Sequence, residues 1–337
     1  MGLLITGGVG YIGSAILETL IKDDKYRDIR DSEIFVFDQL QRQTGFAVYR
    51  KAKENLPKFN FILGDITNLT GQIRNRLEEV IKKSERIIHL CSITQQPFSP
   101  ENEAIILGGT TNLLNLVRDI NPGCKRVVNI STTNIYGFFE GNSTICTEET
   151  TPNPVNLYAE NKIKAEKVCQ QFWEEFKTPI ITLRLSTNFG YADGIRLDFF
   201  LNNIVWNSLF NEKVSVFGRR DNWRPFIHVK DAVEAILQAT LAPEEYNGKL
   251  YNAGSEDLNL QLSEIIKQVE DITGKYRNDM PKFVFDSDVD NSVKGESYRV
   301  DFSKFRNDFN FKPKISLAEG IEELVQKLMD RCVGEFF

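Results

Sequence analysis

Leu3-Leu4-Ile5-Thr6-Gly7-Gly8-Val9-Gly10-Tyr11-Ile12-Gly13 is an apolar run that breaks straight into glycines spaced three apart. The pattern predicts a strand, a tight turn and a helix over about Tyr11–Ile21. Glycine at the turn lets the backbone reverse sharply and approach a pyrophosphate closely, and the N-terminus of the helix offers unpaired N–H groups and a favourable dipole to the anion. Gly7, Gly10, Tyr11, Ile12 and Gly13 are therefore candidate dinucleotide contacts. The same glycines would also serve an ordinary tight turn, so the reading depends on the strand before them and the helix after them.

The second half of such a unit lies where the geometry needs it. Glu33-Ile-Phe-Val-Phe-Asp38 reads as a buried strand ending in an acid about 25 residues beyond Gly13, near the spacing at which a carboxylate reaches adenosine ribose hydroxyls. Because such an acid repels a 2′-phosphate, NAD is favoured over NADP. Arg42 would partly offset that repulsion, and the plain alternative is that Asp38 caps the turn that follows.

With 337 residues, 41% of them hydrophobic, the chain can bury one large core or two modest ones. Its net charge of −6 and dispersed basic residues give no nucleic-acid groove. No apolar stretch approaches the roughly 20 residues that span a bilayer, and a first strand beginning at residue 3 leaves no room for a signal peptide. The expectation is a cytosolic protein without membrane or nucleic-acid partners. Five cysteines lack C-x-x-C spacing, and the only histidines, His89 and His228, each flank a strand-like stretch, so no metal site, disulfide framework or serine–histidine pair is expected.

Strand-like runs at Leu3–Thr6, Ile34–Phe37, Phe59–Leu63, Arg86–Leu90, Arg126–Ile130 and Ile180–Leu185 alternate with helical patterns such as Glu101–Ile120 and Leu157–Phe176. That alternation predicts an α/β fold with a parallel sheet covered on both faces. Beyond residue 186 the rhythm changes. Phe226–Val229 reads as one more core strand followed by a helix over Asp231–Leu241, while Thr187–Arg224 and Pro281–Tyr298 are irregular. A smaller, discontinuous lobe grafted onto the sheet is expected.

Three pieces combine into chemistry. Asn129-Ile-Ser-Thr132-Thr-Asn-Ile-Tyr136-Gly137 places hydroxyls at the carboxyl end of a core strand, where such sheets bind ligands. Tyr158 and Lys162 share a helix face about 25 residues later. A phenol of pKa ~10 brought to ~7 needs about 4 kcal/mol of phenolate stabilisation, roughly what an ammonium about 4 Å away supplies at an effective dielectric near 20. The pair is the expected acid–base centre.

These residues together resemble an extended short-chain dehydrogenase/reductase of the nucleotide-sugar epimerase, dehydratase and reductase branch. The resemblance runs from Leu3 to about Lys327, through the glycine turn, Asp38, Gly64-Asp65-Ile66, His89-Leu90, Gly109-Thr110, Ser131-Thr132, Tyr136-Gly137, Tyr158-x-x-x-Lys162, Leu183-Arg184 and Arg224-Pro-Phe-Ile-His-Val-x-Asp231. It implies a Rossmann doubly wound parallel sheet (residues 1–186 and about 226–254) with a nucleotide-sugar-binding lobe (187–225 and 255–337). It also implies NAD near Asp65, Ile66, Leu90, Cys91 and Lys162, and Tyr158 as acid/base with Thr132 on the reacting oxygen. Ser92, Thr133, Thr187, Asn188, Arg196, Asn202, Arg224 and Arg299 would contact a nucleotide-diphosphate sugar, with Arg224 on the diphosphate. Relatives of this kind often form homodimers through two helices, here those within Glu101–Ile120 and Leu157–Phe176.

Departures from the pattern narrow the expectation. Cys91-Ser92 replaces the usual pair of alanines, Ile106 replaces an asparagine, and Thr187 stands where asparagine is frequent. Thr133-Asn134 replaces the Asp-Glu pair of dehydratases, which removes the carboxylates needed for 4,6-dehydration. The resemblance then implies an NAD-dependent epimerase working through a transient keto-sugar, at C4. The alternatives are an NAD(P)H-dependent 4-keto-sugar reductase and a non-catalytic dinucleotide sensor; the presence of both Tyr158 and Lys162 argues against the last.

Overall fold

The computed structural model describes residues 2–41, 44–93, 100–139, 144–290 and 295–334. Arg42, weighed above as an offset to Asp38, lies outside them. Seven strands form the main sheet: β1 (Gly2–Thr6), β2 (Glu33–Asp38), β3 (Phe59–Leu63), β4 (Arg86–His89), β5 (Arg126–Thr132), β6 (Ile180–Leu185) and β7 (Leu250–Ala253). Their spatial order is β3-β2-β1-β4-β5-β6-β7 and every pairing is parallel.

Parallel strands need helical crossovers, so both faces of this sheet are covered and both must be apolar. The period of two is visible within single strands. Leu3 and Ile5 of β1, with Ile34 and Val36 of β2, enter one core under the helices Tyr11–Lys22, Thr44–Asn55 and Val229–Leu241. Leu4, Phe35 and Phe37 enter the other, under Gly71–Lys83, Gly109–Ile120 and Leu157–Phe176. Side chains such as Ile5, Val36, Ile88 and Val128 are wholly buried, each contributing roughly 1.5–3 kcal/mol relative to exposure.

The helix expected over 101–120 is broken. Pro100–Glu103 is α-helical, Ala104–Gly108 a π turn, and Gly109–Ile120 α-helical again. The hydroxyls of Thr110 and Thr111 donate back to the carbonyls of Ile106 and Leu107, a competition with the helical ladder that bends helices.

The smaller lobe has its own core. Helices Phe200–Phe210, Leu262–Thr273 and Leu317–Gly334 bury Val205, Ile265, Val269, Ile321 and Leu324 against Phe226 and Phe285. Two placements differ from the sequence-based division. Strand Trp223–His228 pairs with Thr187–Phe189 and Asn259–Gln261 in a separate three-stranded sheet rather than joining the large one. Phe305 and Phe311 return to the core of the large sheet, against Tyr251 of β7. Neither was legible because these segments carry aromatic residues without a regular period.

Candidate active site

The order of the main sheet reverses between β1 and β4, so the loops after those strands diverge and leave a crevice at their carboxyl ends. A cleft of about 830 Å³ opens there and extends to the smaller lobe. Gly7 sits at φ +71°, and a Cβ on it would lie 3.0 Å from the backbone nitrogen of Cys91. Gly10, Tyr11, Ile12 and Gly13 line the same wall, and no side chain caps the N-terminus of the helix Tyr11–Lys22. Its first N–H groups are thus oriented for an external anion, the condition a pyrophosphate requires.

Asp38 lines this end and caps the turn that follows β2. One carboxylate oxygen accepts from Val9 N at 3.2 Å, tying strand β2 to the glycine turn, and the other accepts from Leu40 N at 2.9 Å. Ile66 lies in the cleft beside Gly109, whose missing side chain makes room for it. Asp65 does not line the cleft: its Oδ1 accepts from Thr67 N and Thr67 Oγ1, both at 2.8 Å, so it closes its own turn.

Gly13 marks the tightest approach. A Cβ there would fall 2.5 Å from the carbonyl oxygen of Gly8 and 2.6 Å from its Cα. Gly13→Ala should therefore push turn and helix apart and weaken NAD binding by at least about tenfold, the equivalent of modest overpacking. Calorimetric titration with NAD checks this, and an unchanged affinity would show that the turn is not the cofactor cradle.

The reacting centre is assembled from β5 and the helix Leu157–Phe176. Asn156 starts that helix by accepting from Ala159 N at 2.9 Å, which sets Tyr158 and Lys162 one turn apart facing the cleft. Thr132 ends β5; its Oγ1 accepts from Asn134 N at 3.1 Å, leaving its proton to donate into the cleft. Lys162 donates to the carbonyl of Ile130 at 2.7 Å, and its Nζ lies 5.9 Å from the centroid of the Tyr158 ring.

Burial pushes the Tyr158 phenol up to about 12, opposed by the Ser92 hydroxyl and by the Arg196 guanidinium. Burial also pushes Lys162 down to about 8. The low-dielectric wall thus acts on both partners at once. Behind them, His89 is held neutral by burial, at about 3, between Thr6 Oγ1 at 2.7 Å and Thr110 Oγ1 at 3.1 Å.

Leu90, Cys91, Ser92, Thr187, Asn188, Arg196 and Arg224 also line the cleft. Arg224 lies over the Phe200 ring at 4.3 Å and contacts Glu296 at 3.3 Å, with its Nε unpartnered among the described residues. Asn188 Oδ1 and Ser186 Oγ are buried and likewise unpartnered, as polar atoms awaiting a ligand are. Three expected substrate contacts sit elsewhere. Thr133 is fully buried with its hydroxyl 3.4 Å from that of Tyr298, Asn202 is fully buried within the protein's own hydrogen bonds, and Arg299 stacks on Trp223 at 4.9 Å outside the cleft lining. Sequence reasoning missed Asn156, Asp198, Phe199, Phe200, Phe217 and Glu296. The Arg196-x-Asp-Phe-Phe run was a readable signal for three of them; Glu296, in an aperiodic segment, had none.

A glycine-rich turn, an acid on β2 and a tyrosine–lysine helix facing one cleft agree with the match of residues 3–254 to the model of the NAD dependent epimerase/dehydratase family. The chain belongs to that family. Along its whole length this family member is 25% identical to an uncharacterised UDP-glucose epimerase of Bacillus subtilis, covering 99% of this chain and 100% of that protein. Its fold superposes on a dTDP-glucose 4,6-dehydratase of Bacillus anthracis in complex with NAD, with TM-score 0.82, 24% identity and coverage of 98% and 97%. A UDP-glucuronic acid 4-epimerase of Bacillus cereus, in complex with UDP-glucuronic acid and NAD, gives TM-score 0.81, 23% identity and coverage of 97% and 100%. Family membership makes the chain an NAD-dependent enzyme on the Rossmann-like fold seen above. Among the described residues, no helix is long and apolar enough to cross a membrane and no cluster of ligating side chains fits a metal.

Proposed function

We propose that this enzyme epimerises a nucleotide-diphosphate sugar at C4 through a transient keto-sugar, using NAD held at the glycine turn and Asp38. The observation that carries this reading is the state of the carboxylates in the cleft. Among the described residues three line it, Asp38, Asp198 and Glu296. Asp38 is engaged by backbone N–H groups, Asp198 by Arg196 at 2.6 Å, and Glu296 by Arg224 and by Asn156 at 2.9 Å. Elimination of water from a keto-sugar calls for an acid–base pair near the reacting carbons, and neither residue after Thr132 supplies one.

Bound NAD would supply the hydride acceptor and donor that no side chain provides. Tyr158 would take the proton from the sugar hydroxyl as the carbinol is oxidised and return it after the keto-sugar presents its other face. Thr132 and Ser92 would donate to the developing oxyanion from fixed positions. Lys162 would bind the nicotinamide ribose, and Arg224, planar and backed by Phe200, would grip the diphosphate.

Incubation of the purified protein with UDP-glucose, UDP-glucuronic acid or dTDP-glucose, without added cofactor, tests the reading by proton NMR. The expected product is the C4 epimer with no solvent deuterium incorporated. A 4-keto-6-deoxy product would overturn the epimerase in favour of dehydration, and turnover only of a 4-keto sugar with stoichiometric NADH or NADPH would favour the reductase.

A further inference from the structure

Arg196 enters the cleft from a loop that is fastened, residue by residue, to the cofactor turn. Tyr11, the first residue of the helix after that turn, donates its hydroxyl to the carbonyl of Gly190 at 2.6 Å. Asn202, wholly buried, accepts from Gly190 N at 3.0 Å and donates to the Arg196 carbonyl at 3.1 Å and to the Tyr11 oxygen at 3.4 Å. A second tie runs through Ser14, which accepts from Gly194 N at 2.9 Å; a Cβ on Gly194 would meet the Gly10 carbonyl at 2.8 Å. Side-chain stacking repeats the path. Tyr11 meets Phe199 edge-on at 5.4 Å, and the Arg196 guanidinium lies 4.3 Å from the centroid of that same Phe199 ring.

We infer that Asn202 is a positioning residue: with Tyr11 it fixes the Arg196 loop to the dinucleotide turn, so that the guanidinium is held in the cleft that Tyr158 lines. A buried amide with both ends engaged holds a loop in one geometry, since leaving either end unsatisfied is costly. Asn202 is wholly buried outside the cleft lining and acts through Arg196. Arg196 lines the cleft with Tyr158 and its positive charge favours the phenolate, in addition to the ammonium of Lys162 one turn along the helix. The proposal rests on Tyr158 being the acid–base group of the function proposed above.

The titratable and charged groups that line the cleft with Tyr158 are Arg196 with its partner Asp198, Lys162 one turn along, Cys91, Tyr11, Asp38, and Glu296 with Arg224. The test is a pH titration of phenolate absorbance in NAD-loaded protein, taken as the difference between each protein and its Tyr158→Phe counterpart. Arg196→Gln and Asn202→Ala should each move the Tyr158 midpoint to higher pH, and the double variant should move it no further than Arg196→Gln alone, the non-additivity of groups acting in series. NAD affinity should stay within about threefold of the parent, equivalent to less than the loss of one hydrogen bond. A midpoint unmoved by Asn202→Ala, or shifts that add in the double variant, would overturn the inference. Should Asn202→Ala fold poorly, Tyr11→Phe removes one hydroxyl from the same strap and is expected to give a smaller shift of the same sign; no shift counts against the inference equally. If the parent protein turns over no nucleotide sugar, the proposed function falls while this titration still decides the strap.

Discussion

Tyr158→Phe should lower kcat for the nucleotide sugar about 10³-fold, the usual scale for losing a positioned proton-transfer group. The ring remains and only the hydroxyl is lost, so the cleft keeps its shape and NAD should bind nearly as before. The direction of the pH effect follows from burial. In the protein alone the phenol is pushed up to about 12, so the ionised form is scarce near neutrality and any group favouring phenolate raises the rate. Activity should therefore climb with pH through a limb that belongs to Tyr158, and that limb should be missing from the residual activity of Tyr158→Phe. Steady-state kinetics across pH check both points; a variant with parental kcat removes the tyrosine from the chemistry altogether.

Glu166→Ala should cost the fold roughly 3–5 kcal/mol, the range for stripping one partner from a buried ion pair. Glu166 lies on the inner side of the helix that carries Tyr158 and Lys162, one turn beyond the lysine. It receives Arg184 of β6 through Nε at 3.0 Å and Nη2 at 2.7 Å, and Ser131 of β5 at 2.5 Å. Both side chains are over nine-tenths buried, and Arg184 also donates to the Tyr136 hydroxyl at 3.0 Å. Alanine would leave the guanidinium uncompensated inside the protein. Replacing Arg184 by methionine in the same chain should recover much of the loss, because two apolar groups need no partners. Denaturant unfolding of the parent protein and the two variants measures this. A loss below about 1 kcal/mol for Glu166→Ala, the level of an exposed pair, would mean that water reaches the site and the pair is not a structural one.

The sheet was readable because its physics is local. Leu3–Thr6, Phe59–Leu63 and Ile180–Leu185 are short apolar runs between breakers, and the helix Leu157–Phe176 is one of the helical patterns that alternate with them. The cofactor side of the cleft was readable for the same reason, since turn, helix start and acid follow one another along the chain. What escaped depends on contacts far apart in sequence. Asn202 had the polarity of a ligand contact, yet its partners are a glycine twelve residues earlier and a tyrosine hydroxyl 191 positions away. Thr133 and Arg299 were drawn inward or aside by Tyr298 and Trp223. Arg196 was expected at the substrate, whereas its charge also favours the Tyr158 phenolate, from a loop far along the chain that only the fold brings to the cleft.

The two halves of the cleft also differ in when they can exist during synthesis. All seven strands of the large sheet have left the ribosome's reach soon after Ala253, whereas the smaller lobe draws on Thr187–Phe189 at one end and Leu317–Gly334 at the other. Pairing of Arg299–Val300 with Ile145–Cys146 closes a loop of some 150 residues, a contact of high order that forms late. A nascent chain can thus present its dinucleotide crevice before the far side of the cleft, where Arg224 meets Glu296, is complete, and shortening the C-terminus would injure that side first.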